Sequence, residues 1–145
     1  MLFQNEDASL KLDITNYELG PYDGDPNSDD RNWLVMRATW NNEDGDIVKD
    51  SNCCLLTYEL QDMTAGLKVL NADIRDRYDS EFTEPYFLFS ACKEGEGFRV
   101  DVSFFLPNTM DGDDTAEITC HMSKDEMRAL IGELDRLCAK FPDRK

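Results

Sequence analysis

Residues 86–106 read YFLFSACKEGEGFRVDVSFFL. Phe98, Val100, Val102, Phe104 and Leu106 recur at every second position, which is the period of a strand with one face in a core. Residues 86–92 make the partner strand, with Phe87 and Phe89 expected to face the same core, and Glu94-Gly95-Glu96-Gly97 joins the two. This hairpin commits the chain to an antiparallel sheet.

The same period continues on both sides of it. Downstream, Ala116, Ile118, Cys120 and Met122 alternate with Glu117, Thr119 and His121, a strand entered from the acidic stretch 108–114. Upstream, Ala8, Leu10, Leu12 and Ile14 alternate with Ser9, Lys11 and Asp13, and residues 1–4 are expected to pair with them across Asn5-Glu6-Asp7. Leu34, Met36, Ala38 and Trp40 line one face of a further strand, whose return over residues 46–56 follows a predicted tight turn at Asp44-Gly45. Residues 20–31, GPYDGDPNSDDR, are a loop by their prolines, glycines and charge.

Two stretches change period. Leu56, Leu60, Met63, Leu67, Leu70 and Ile74 fall at steps of four and three, an amphipathic helix with Thr57 expected at its N-cap. Asn71 and the charged run over residues 73–79 end it and lead to SEFTEP, where Pro85 sets an extended bend. Ser123-Lys124-Asp125-Glu126 is a capping box opening a second helix, lined by Met127, Leu130, Ile131, Leu134, Leu137, Cys138 and Phe141 and stopped by Pro142. The sum is an α+β fold over residues 1–145 as one domain: a mostly antiparallel sheet of six or seven strands, two amphipathic helices on one face, and no internal repeat.

The 31 acidic residues against 15 basic give a formal charge of −16, which repels nucleic acid and anionic membranes and attracts a basic protein. Asp outnumbers Glu and Lys is scarce, so a salt-loving host is an alternative origin for the acidity. No secretory leader and no apolar run of membrane-spanning length is read, and a cytoplasmic location is the expectation. Five cysteines, two of them adjacent, make a poor disulfide framework and read as small buried hydrophobes.

No catalytic set emerges. His121 is the only histidine and its alternation turns it outward, away from Cys120. The loop Asp23, Asp25, Asn27, Asp29 resembles the start of a calcium loop, but Ser28 stands where glycine is needed and Leu34 where a bidentate glutamate is needed. Asp111, Asp113 and Asp114 form a second carboxylate cluster without a cation beside it. No catalytic, cofactor or metal residue is therefore assigned, although a metal-dependent hydrolase using one acidic loop, or an acidic adaptor domain, stays open.

Four short motifs occur in order along the chain: Asn32-Trp33-Leu34-Val35, the run from Cys54 through Leu60 (CLLTYEL), Phe82-Thr83-Glu84-Pro85, and Phe141-Pro142-Asp143-Arg144. Together they resemble the WapI-type immunity proteins across nearly the full length. The resemblance implies a non-enzymatic protein that binds and neutralises the C-terminal domain of a secreted toxin, typically one that cuts RNA. Charge density alone selects the residues expected to meet such a basic partner: Asp23, Asp25, Asp29 and Asp30 in the long loop, Glu43, Asp44 and Asp46 at a hairpin tip, and Asp111, Asp113 and Asp114.

Overall fold

In the computed structural model, which describes residues 1–108 and 114–144, the alternating segments become eight strands in two four-stranded sheets. The first sheet is a meander of β1 (Leu2–Gln4), β2 (Ser9–Tyr17), β3 (Trp33–Asn41) and β4 (Ile47–Leu56), and α1 (Thr57–Asn71) follows it directly. The second is a meander of β5 (Arg77–Asp79), β6 (Phe87–Glu94), β7 (Gly97–Leu106) and β8 (Asp114–Met122), and α2 (Lys124–Lys140) follows. All neighbouring strands are antiparallel. The α+β class holds, but the single expected sheet is two, and the element order is the same unit of four strands and a helix made twice.

Each sheet buries one face. Leu10, Leu12, Ile14, Leu34, Met36 and Ala38 point inward from the first, and Phe87, Phe89, Val100, Val102, Phe104 and Ile118 from the second. Leu60, Met63, Leu67 and Leu70 of α1 and Met127, Leu130, Ile131 and Leu134 of α2 complete one continuous core. The two meanders also touch directly: the rings of Phe3 and Phe89 lie 5.8 Å apart, Asn5 Nδ2 donates to Thr119 O, and Asn52 Nδ2 donates to Phe105 O.

Local chemistry explains where the strands and helices differ from the periodic reading. The strand β5 hides in the charged run, because three residues are too few to show a period; Tyr78 is its inward side chain, opposite Ala91. Ile74, expected on the α1 stripe, is 72% exposed, since Asp73 takes φ 64° and turns the chain out of the helix one residue earlier. Thr57 is the first helical residue instead of the cap. The cap position is Leu56, whose amide donates to Glu59 Oε1 at 3.0 Å. Ser123 and Glu126 do form the reciprocal capping box, each side chain accepting from the other's amide at 3.1 Å.

The β3–β4 turn is wider than the two-residue turn expected. Asn41 and Ile47 are the last pair, and Asn42 Oδ1 accepts from the amides of Asp44 and Asp46, which favours the longer loop with Gly45 at φ 83°. The β6–β7 turn is tight, Glu94 pairing with Gly97 and Gly95 at φ 61°. Of the cysteines, only Cys54 and Cys120 are buried; Cys53, Cys92 and Cys138 are half-buried, which corrects the expectation of five core thiols.

Two helix glycines separate packing from propensity. A Cβ on Gly66 would run into the Tyr78 ring, whereas one on Gly132 would meet only the flexible end of Arg136. Gly66→Ala should lower stability by about 1–3 kcal/mol through overpacking, and Gly132→Ala should raise it by about 0.4–1 kcal/mol. Urea unfolding midpoints of the two variants check the pair, and equal signs would contradict the packing described.

Candidate partner-binding surface

The four motifs singled out in the sequence are brought together in two joints. In the first, the buried Asn32 side chain accepts from the Arg144 amide at 2.7 Å and donates to the Arg144 carbonyl at 3.1 Å, so the start of β3 is tied to the chain's last described residue. Arg144 also donates to Leu19 O and lies 3.4 Å over the Tyr17 ring, while the Tyr17 hydroxyl donates to Pro142 O. Burial raises the Tyr17 hydroxyl above its ordinary range despite the neighbouring guanidinium. In the second joint, the buried Glu59 carboxylate accepts from Leu56 N through one oxygen and from Thr83 N at 2.6 Å through the other. That closes the α1 start onto the bend before β6. Both joints are structural: Asn32, Glu59, Thr83 and Arg144 hold distant pieces of chain together.

The expected partner-contacting carboxylates fall in separate places. Asp23, Asp25, Asp29 and Asp30 are exposed in the loop before β3, and Glu43, Asp44 and Asp46 are exposed at its far end. Nine residues of strand separate them, or roughly 30 Å. Asp111 and Asp113 lie outside the described residues. Asp114 begins β8 opposite Leu106, and the connection leading to it is anchored on β4, where the Asp50 carboxylate accepts from Asn108 N and Nδ2 at 2.8 and 2.6 Å. Asp50 is three residues from Ile47, so this connection starts on the same side as the hairpin tip.

The long loop is internally ordered. Asp25 Oδ1 accepts from Asn27 N and Asp30 Oδ2 from Asp25 N, and that amide, with the Ser28 hydroxyl, holds the Asp30 carboxyl below its usual range. The carbonyls of Tyr22, Asp23 and Gly24, which a hard cation would want, instead accept from the Arg31 guanidinium. Among the described residues no three His, Cys, Asp or Glu side chains are grouped to hold a metal ion. His121 is largely exposed, 3.5 Å from Glu94.

Charge is unevenly spread. The outer face of the first sheet carries Lys11, Arg37 and Lys49 with only Asp13 among them, and Asp13 lies within 4 Å of both Lys11 and Arg37. Acidic groups gather instead from the long loop onto α1. The Tyr58 hydroxyl donates to Asp29 Oδ2 at 3.3 Å, and next to it a groove of about 760 Å³ opens between α1 and β5. Asp62 lines it on the helix side, Glu81 on the other, with Ala65, Ile74, Tyr78 and Phe82 between. Burial, then the charges of Asp62 and Glu81, push the Tyr78 hydroxyl up to about 12, and burial with Asp29 raises Tyr58. Asp62 and Glu81 escaped the sequence reading because it weighed charge density in loops; the signal that could have found Asp62 is its place one turn after Tyr58, on the polar side of the helix.

Among the described residues the fold presents exposed carboxylates and a groove, surfaces that suit a protein partner. A family model described as "Immunity protein WapI-like family" matches residues 1–142, and the chain belongs to that family. No curated protein matches it. No helix among the described residues is long and apolar enough to cross a membrane.

Two measurements test the joints and the groove wall. Glu59→Ala leaves the Leu56 and Thr83 amides without their acceptor and should cost about 2–4 kcal/mol, while Asp62→Asn, at an exposed position, should stay within about 0.5 kcal/mol. Tyr78 keeps its proton to higher pH in the folded state than in the unfolded chain, so its contribution is complete below about pH 10 and is lost as pH rises through about 12. Tyr78→Phe should flatten the fall in stability across that window, and an unchanged alkaline slope would contradict the burial assigned to Tyr78.

Proposed function

We propose that this protein is a non-enzymatic inhibitor that neutralises a toxin domain of basic surface, of the RNA-cleaving kind, by presenting carboxylates to it in the cytoplasm of the producing cell. The observation that carries the reading is the charge of −16 on a member of an immunity-protein family. A domain that cleaves RNA needs cationic side chains to bind phosphate. An inhibitor whose carboxylates occupy that surface competes with the substrate, and its field steers the encounter. Asp23, Asp25, Asp29, Asp30, Glu43, Asp44, Asp46, Asp111, Asp113 and Asp114 are the proposed contributors to that field. The seven that flank β3, from Asp23 to Asp30 and from Glu43 to Asp46, are spread over its two ends, which suits long-range steering that sums over the whole surface; close contact requires a single face.

The test is to read the gene beside this one and co-express the protein with the C-terminal domain it encodes, which the reading expects to be small and basic. Growth should be restored by the intact protein, and the purified pair should associate at roughly 10⁸ per molar per second at low salt, slowing by orders of magnitude as screening shortens the Debye length from about 10 Å to about 3 Å. Failure to restore growth would remove the immunity reading, and an association rate indifferent to salt would remove the electrostatic one.

A further inference from the structure

We infer that the groove between α1 and β5, lined by Asp62 one helical turn after Tyr58, is the contact site, and that its occupant is a segment of the partner carrying arginine or lysine beside apolar side chains. The inference rests on the proposed neutralisation of a basic protein and narrows it to one face.

Shape comes first. At Gly66, which has no side chain, the Tyr78 ring rests against the helix, and about 760 Å³ lies open alongside. Ala65, Val69, Ile74 and Phe82 supply its apolar lining, which is partly uncovered. Ile74 is 72% exposed, an arrangement fixed by the reversal at Asp73, whose carboxylate is held by Lys93 at 2.6 Å and Lys124 at 3.0 Å. An aliphatic side chain pinned in water stabilises nothing in the free protein, and covering it on binding removes that apolar area from solvent.

Charge supplies the selectivity. Asp79 is paired with Arg77 at 2.8 Å and Glu59 is occupied by two backbone amides, but Asp62 and Glu81 have no ion-pair partner among the described residues. Arg75 and Arg77 line the groove with four acids, Glu59, Asp62, Asp79 and Glu81, so the groove by itself carries a small negative excess. The adjoining loop adds to it, where Asp25, Asp29 and Asp30 lie beyond Tyr58 and Tyr22 is 88% exposed. Asp62 is the link, acting electrostatically on both Tyr58 and Tyr78. A guanidinium seated beside Asp62 in the groove meets carboxylates and the Tyr78 ring. One seated segment covers less than the roughly 800 Å² per partner of a standard interface, so the loop is the natural extension of the contact. The hairpin tip has Ile47 exposed beside its acids, but its residues do not line this groove.

The experiment uses the whole protein, isotope-labelled, titrated with a synthetic peptide of arginine and leucine and, separately, with the glutamate and leucine counterpart. Saturable amide shifts should cluster over residues 22–30 and 58–82 with the cationic peptide and be absent with the anionic one. The double variant Asp62→Arg with Glu81→Arg should weaken binding by at least about tenfold, whereas Glu6→Arg with Asp7→Arg, an equal change in net charge in the β1–β2 turn, should stay within about twofold. Shifts centred on residues 43–47, shifts without saturation over the whole surface, or equal losses in the two variants would overturn the site. In cells the two readings separate. If the intact protein protects and the Asp62/Glu81 variant protects equally well, the groove is wrong and the immunity role stands; if the peptide saturates the groove but no protection is seen, the immunity role fails and the groove stands.

Discussion

None of the layers of this molecule can stand alone, because each sheet and each helix is apolar on one side only. The inner faces of two four-stranded meanders and the stripes of two helices meet in one core, and that shared burial is the constraint from which the rest follows. The repeated order of four strands and a helix satisfies it with short connections inside each meander. Each helix begins within a residue of its last strand, and in both a glutamate at the third helical position reaches back to the amide at the cap, Glu59 to Leu56 and Glu126 to Ser123. In the second unit serine completes the exchange. In the first, leucine cannot accept, and the glutamate's other oxygen goes instead to Thr83 in the following meander.

That difference gives the two units separate tasks. The Glu59 joint closes α1 onto the segment leading to β6, and the neighbouring β5 then lies along the helix with Tyr78 against Gly66. The Asn32 joint does the same for the chain end, folding Arg144 onto Tyr17. The residues that make the family resemblance are thus those that connect distant pieces of chain, over 24 and 112 positions. A buried amide or carboxylate with satisfied partners tolerates little substitution, since a lone replacement strands the partner groups. Contact surfaces are under no such rule, and an immunity protein's surface must instead suit its own toxin.

Acidity and architecture act at different ranges. The net charge sets a field whose effect does not depend on which carboxylate supplies it, and the cations of the first sheet's outer face locally weaken it there. Over the last few ångströms, shape and desolvation decide, and the side of the molecule where α1 meets β5 and the long loop combines carboxylates, aromatic rings and an uncovered aliphatic.

By itself the sequence determined the long alternating strands, both helix stripes, the capping box at Ser123 and the acid excess, because period and charge are local properties that a linear reading senses directly. The second sheet boundary, the three-residue β5, the turn at Asp73 and the wider loop at Asn42 were decided by tertiary contacts or by a single side chain's hydrogen bonds, which leave no period. The candidate site divides in the same way. The loop aspartates were legible as charge and Asp62 by its spacing from Tyr58, whereas Tyr78 and Glu81 meet Asp62 only because a helix from one meander packs beside the first strand of the next. Proximity of that kind is a product of folding, and no spacing along the chain encodes it.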